Sequence, residues 1–168
     1  MTRGSDYHQW QDNIIVGDSL ATLRTLPSGI AATCVTSPPY WSLRDYGVAG
    51  QIGLELSPED YVAKLVPVFQ EVRRVLRPGG TLWLVLGDTY YTGAGRCQNP
   101  GGASHQGHPR GLPPNRASSV PGLKPKDLVG IPWRVALALQ QDGWWLRNAI
   151  VWEKPNALPS SIKDRLAC

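Results

Sequence analysis

The apolar run Asn13-Ile14-Ile15-Val16 predicts a short strand, stopped by Gly17-Asp18, and the polar residues before it predict a loose arm. Leu20, Leu23 and Leu26, following Ser19, have the spacing of a helix face. Residues 31–36 are mostly apolar and β-branched, the pattern of a buried strand, and they stop at Ser37-Pro38-Pro39-Tyr40-Trp41. Both prolines fix φ and neither donates a hydrogen bond, so this is a stiff elbow at the C-terminal end of a strand. Ligands of open α/β sheets sit at that edge. Residues 42–56, with Arg44, Asp45 and Tyr46, lack periodicity and read as a loop.

Ser57-Pro58-Glu59-Asp60 has the form of a helix start: a capping hydroxyl, a proline in the first turn, then two acids. Val62, Leu65, Val66, Phe69, Val72 and Leu76 continue it with one apolar face. Pro67 should kink it, because an interior proline costs a straight helix about 3 kcal/mol. Pro78-Gly79-Gly80 stops it, and residues 81–86 form an apolar strand of the kind buried on both faces of a parallel sheet. Gly87-Asp88 closes that strand, with Asp88 able to face a site or to cap a turn. Residues 128–141 predict a further helix with Asp127 as its cap, and residues 144–152 a strand closed by Glu153-Lys154-Pro155-Asn156.

Residues 92–126 interrupt this order. They are rich in Gly, Pro, Ser and Asn, lack acidic and aromatic residues, and carry Arg96, Arg110, Arg116, Lys124 and Lys126. Such a stretch predicts a mobile basic loop. Its charge suits DNA phosphates, and a solvated insertion is the alternative.

With 168 residues, 42% of them hydrophobic, the chain is sized for a single domain. No apolar run is long enough to span a bilayer and no secretory signal opens the chain, so no membrane partner is expected. A net charge of +4 is compatible with nucleic acid. Cys34, Cys97 and Cys168 are odd in number and widely spaced, which fits a reducing cytoplasm. Cys97, His105 and His108 do not make a zinc set, and no metal is expected. The seven tryptophans read first as packing residues.

Thr36-Ser37-Pro38-Pro39-Tyr40 resembles the catalytic motif of the amino-group DNA methyltransferases, in which Asp, Asn or Ser precedes two prolines and an aromatic residue. The helix, the Arg77-Pro78-Gly79-Gly80 turn and the strand after it look like the fifth-strand unit of the same fold. Trp152, Lys154, Pro155 and Asn156 match a segment that lies beside the target base in that family.

The resemblance implies an α/β, Rossmann-like methyltransferase fold: a mostly parallel sheet with helices on both faces, incomplete at the C-terminus. It implies S-adenosylmethionine as cofactor, double-stranded DNA as partner and a restriction-modification or phage origin. Ser37, Pro38, Pro39 and Tyr40 would be catalytic, with Trp41 assisting Tyr40 against an extruded base. Asp18 would touch the adenine of the cofactor, or else simply cap a helix. Trp152, Lys154 and Asn156 would lie near the target, or else merely end a strand. Arg96, Arg110 and Arg116 would meet DNA.

Ser at position 37 leans towards cytosine N4 and leaves adenine N6 open; RNA or a protein glutamine is the substrate of relatives with Asn-Pro-Pro-Tyr. A non-catalytic nucleic-acid-binding fragment is the rival of another class. Methylation of cytosine carbon 5 is set aside, since no cysteine follows a proline. The order of segments looks like the permuted class whose cofactor-binding half comes last. Its Phe-x-Gly-x-Gly-like turn has no counterpart, as Gly93-Ala94-Gly95 sits in the basic loop. The expectation is therefore an N-terminal part of a longer enzyme, or one piece completed by a second chain.

Overall fold

Ser57 begins the helix on which the two other α-helices of the described residues pack. In the computed structural model, which describes residues 8–91, 97–98 and 120–156, its hydroxyl accepts from the Asp60 amide and donates to the Asp60 carboxylate at 2.7 Å. The helix so started, α2 (Pro58–Val75), buries Tyr61, Leu65, Phe69, Val72 and Val75 along one stripe. It continues through Pro67, which lies off that stripe.

Ahead of α2 come a 3-10 turn (His8–Trp10), α1 (Ser19–Thr25) and β1 (Ala31–Thr36); β2 (Leu76–Leu84) follows it directly. Arg74 fastens α1 to α2, since its guanidinium donates to the carbonyls of Leu23 and Leu26 and pairs with Glu71 at 2.7 Å.

β1 and β2 pair in parallel, with Cys34 opposite Leu82, Val35 opposite Trp83 and Thr36 opposite Leu84. The register shifts between Ala31 and Thr33, so the Pro78-Gly79-Gly80 turn is absorbed as a bulge and the strand begins before it, at Leu76. A Cβ on Gly80 would stand 2.9 Å from the Arg77 carbonyl, which is why the bulge takes glycine there.

Cys34, Leu82 and Leu84 face the core. On the other face Val35 is 71% and Trp83 52% exposed. The expected burial of the strand at 81–86 on both faces is thus corrected to one face among the described residues, and the expected buried strand at 31–36 is covered on that face alone; α1 and α3 both pack on α2.

The short strands β3 (Tyr90–Tyr91) and β4 (Cys97–Gln98) pair antiparallel, and α3 (Ile131–Gln141) closes the core with Ile131, Val135 and Leu139. Its cap is not Asp127, whose carboxylate instead accepts from the Lys124 amide. Asp88 does that work across the fold, its Oδ1 accepting from the amides of Gly130 and Ile131 at 3.0 Å each. The C-terminal end of the expected mobile loop is also corrected. Val120 is buried and its amide donates to the Tyr91 hydroxyl, while the Lys126 amide donates to the Tyr91 carbonyl.

Two predicted strands do not form. Residues 13–16 and 144–152 form neither helix nor strand, with Ile14 94% and Trp152 73% exposed. An apolar run becomes a strand only where a neighbour offers its backbone a ladder, and neither run finds one among the described residues.

Candidate active site

β1 delivers the elbow to the rim of the sheet. The Thr36 carbonyl accepts from the Val85 amide at 2.9 Å, the last rung before the chain turns. Ser37 is exposed, and Pro38, Pro39 and Tyr40 are half-buried. The Ser37 hydroxyl donates to the Tyr40 hydroxyl at 3.2 Å. The Tyr40 ring lies on Gly87, just beyond β2, where an added Cβ would come within 2.8 Å of it. Hydroxyl and ring are therefore held side by side at the C-terminal ends of two parallel strands.

Of the five consecutive carbonyls from Thr36 to Tyr40, three are occupied. Thr36 accepts from Val85, Pro39 from the Tyr61 hydroxyl at 2.8 Å and Tyr40 from the Leu43 amide at 3.4 Å. Those of Ser37 and Pro38 accept no hydrogen bond among the described residues. The elbow thus presents two acceptors without a protein partner among the described residues, next to a hydroxyl, and the prolines supply no N–H to engage them.

Trp41 is placed otherwise than expected. At 4% exposure it belongs to the core, and its indole N–H donates to the Glu55 carbonyl at 3.0 Å, so no ring face is open for a base. Apolar area outweighed position in the motif.

Behind the elbow, residues missed by sequence reasoning hold it. Glu55, in the run Gly53-Leu54-Glu55-Leu56, is buried; its carboxylate accepts from the Gly53 amide at 2.8 Å and pairs with Lys64 at 3.0 Å. Gly53 in turn accepts from the Ser42 amide at 2.7 Å. Tyr61 is fully buried. Burial above all, then the Glu55 charge and Tyr40, push its hydroxyl far above the ordinary tyrosine value, so it stays a donor. Its spacing of four from Leu65 was the available signal for Tyr61; for Glu55 it was an acid flanked by leucines.

The outer part of the loop is ordered by Gln51, whose amide donates to the Arg44 carbonyl and accepts from the Tyr46 amide. Asp18 caps α1, its Oδ1 accepting from Ala21 at 2.8 Å, which leaves Oδ2 without a hydrogen bond among the described residues. That carboxylate is exposed and fits the hydroxyl or amine donors of a nucleoside. Asp88 is engaged as a cap, as above.

Trp152, Lys154 and Asn156 are exposed, and no hydrogen bond or ion pair joins residues 145–156 to the elbow among the described residues. Arg96, Arg110 and Arg116 lie outside the described residues, as do His105, His108 and Gly93-Ala94-Gly95. Among the described residues no three His, Cys, Asp or Glu side chains gather as metal ligands. No helix there is long and apolar enough to cross a membrane. Cys34 is half-buried on the core side of β1, and burial raises its thiol above the ordinary value, the opposite of an activated nucleophile.

A family described as DNA methylase matches residues 31–167, the span that carries the elbow, Gly87 and the segment 152–156. The chain belongs to that family. It is 53% identical to Type II methyltransferase M.XycI of Xanthomonas campestris pv. cyanopsidis over 151 residues, 90% of this chain and 49% of that protein. Type II methyltransferase M.Cfr9I of Citrobacter freundii is 52% identical over 149 residues, 89% of this chain and 48% of its own length. Type II methyltransferase M.SmaI of Serratia marcescens is 50% identical over 152 residues, 90% and 51% of the two chains. The chain spans about half the length of the curated relatives it matches. No solved structure matches it. The membership bears out the resemblance of the Ser-Pro-Pro-Tyr elbow and S-adenosylmethionine as the methyl donor of the family.

Proposed function

We propose that this chain forms the catalytic half of a DNA methyltransferase that methylates N4 of a cytosine turned out of duplex DNA. The carrying observation is the pair of carbonyls at Ser37 and Pro38, unengaged among the described residues, next to the Ser37 hydroxyl and the Tyr40 ring. An exocyclic amine is a poor nucleophile because its lone pair is delocalised into the ring. The Pro38 carbonyl and Ser37 Oγ each accept one amine hydrogen, which draws the nitrogen towards tetrahedral geometry and localises the pair. Tyr40 stacks on the extruded base, whose target atom is out of reach inside a duplex. Proximity and fixed dipoles supply the rate, and no covalent intermediate on the protein is needed.

Asp18 would hold the cofactor through its outward carboxylate oxygen. Bound S-adenosylmethionine supplies a methyl group on a sulfonium, whose positive charge passes to the amine and leaves it as a proton. The Phe-x-Gly-x-Gly-like segment of the cofactor site would come from the rest of a longer polypeptide or from a second chain. Trp152, Lys154 and Asn156 would be carried to the target by docking of the segment 144–156, and Arg96, Arg110 and Arg116 would contact phosphates.

The test is methyl transfer to duplex DNA by the chain completed with a cofactor-binding half. Nucleoside mass spectrometry should find N4-methylcytosine, and Ser37→Ala and Tyr40→Ala should each abolish it. Unchanged rates in those variants would refute the assignment. N6-methyladenine in the digest would move the target to adenine.

A further inference from the structure

The Tyr61 hydroxyl is a group that the chemistry above does not use. It is fully buried, it comes from the first turn of α2, and it donates at 2.8 Å to the carbonyl of Pro39. We propose that Tyr61 is a positioning residue for methyl transfer: by holding the Pro39 carbonyl it fixes the direction of the Pro38 carbonyl that accepts the target amine. The inference rests on the reading of the elbow given under Proposed function.

Backbone geometry carries the argument. The Pro38 and Pro39 carbonyls belong to successive peptide planes joined at the Pro39 Cα. The pyrrolidine ring locks φ there, so ψ of Pro39 is the single soft rotation between the two carbonyls. A hydrogen bond from a rigid helix to the far plane removes that rotation, and the near carbonyl is aimed as a result.

A second brace acts on the same turn. The Gly53 backbone passes so close that a Cβ on it would stand 2.9 Å from the Tyr40 carbonyl and 3.4 Å from the Pro39 ring. Its place is set by the buried Glu55 carboxylate through the Gly53 amide, and by the Ser42 amide on the Gly53 carbonyl. Tyr61 cannot exchange roles with an acceptor, since burial keeps it protonated and donating.

The experiment compares single-turnover methyl transfer, DNA affinity and cofactor affinity in the completed enzyme and in its Tyr61→Phe variant. Misaiming an acceptor by a fraction of an ångström should lower the single-turnover rate on the order of 10- to 100-fold. Both affinities should stay within about twofold, because the bond acts on the reacting geometry and not on binding. Full rate in Tyr61→Phe beside an active wild type overturns the inference alone, as does a rate loss matched by equal loss of DNA affinity. An inactive wild type overturns the reading of the elbow and the inference with it. Should Tyr61→Phe fail to fold, Gly53→Ala, which presses on the turn through the Tyr40 carbonyl, carries the same expectation and the same refutation.

Discussion

At the scale of single residues, the proposed site is a set of backbone carbonyls left accessible by what surrounds them. Tyr61 leaves a signature in solution independent of catalysis. Its ordinary value is 10.0 and the fold raises it, chiefly by burial. Below pH 10 the folded and unfolded chains both keep the proton, and this group adds no pH dependence. Above it the unfolded chain releases the proton first, so stability falls as pH rises. Urea midpoints measured between about pH 9 and pH 11 should therefore decline in the wild type and decline less in Tyr61→Phe. Cys34, raised from 9.0 by burial, adds a slope of the same sign that begins at lower pH, and a Cys34→Ala background separates the two.

Sequence alone made the elbow legible at this scale, because two adjacent prolines dictate their geometry locally. The fate of Trp41 was not legible: the same residue next to the same motif can stack on a ligand or fill a core. The decision came from the Glu55 carbonyl fourteen positions on, a partner no local pattern names. Glu55 and Tyr61 escaped for the same reason.

Among the elements, the helices were read well and the strands less so. α2 and α3 carry their own apolar stripes, so periodicity found both, and Ser57 announced where α2 begins. A strand needs a neighbour, and the runs at 13–16 and 144–152 have none among the described residues. The cap of α3 was equally hidden, since Asp88 lies 42 positions from Gly130. Asp88 Oδ1 also accepts from the Thr89 amide at 2.9 Å. Removing a carboxylate that serves the first amides of a helix costs about 1 to 2 kcal/mol. Asp88→Ala should lower stability by that amount, and hydrogen exchange should quicken first at Gly130 and Ile131. Protection unchanged at those two amides would show that the cap contributes nothing.

For the molecule as a whole, one face of the β1–β2 sheet is bare, and the outer edge of each strand is unpaired among the described residues. Val35 and Trp83 stand on that face, and the apolar runs around Ile14 and Trp152 are exposed as well. Open apolar faces and unpaired edges favour self-association. The 168-residue chain by itself should accordingly sediment with a concentration-dependent coefficient at micromolar levels, and Val35→Thr with Trp83→Lys should shift it towards monomer. A wild-type chain that stays monomeric would show that the bare face is harmless.

The contact between Gly87 and Tyr40 bears on how the proposed enzyme could be retargeted. The ring rests on naked main chain, so position 87 has no spare room, whereas the aromatic plane above it can change size or polarity without displacing a supporting side chain. Libraries seeking a new base preference should vary position 40 among aromatic residues and keep position 87 constant; diversifying both together would mostly collect variants whose platform has been pushed off its seat.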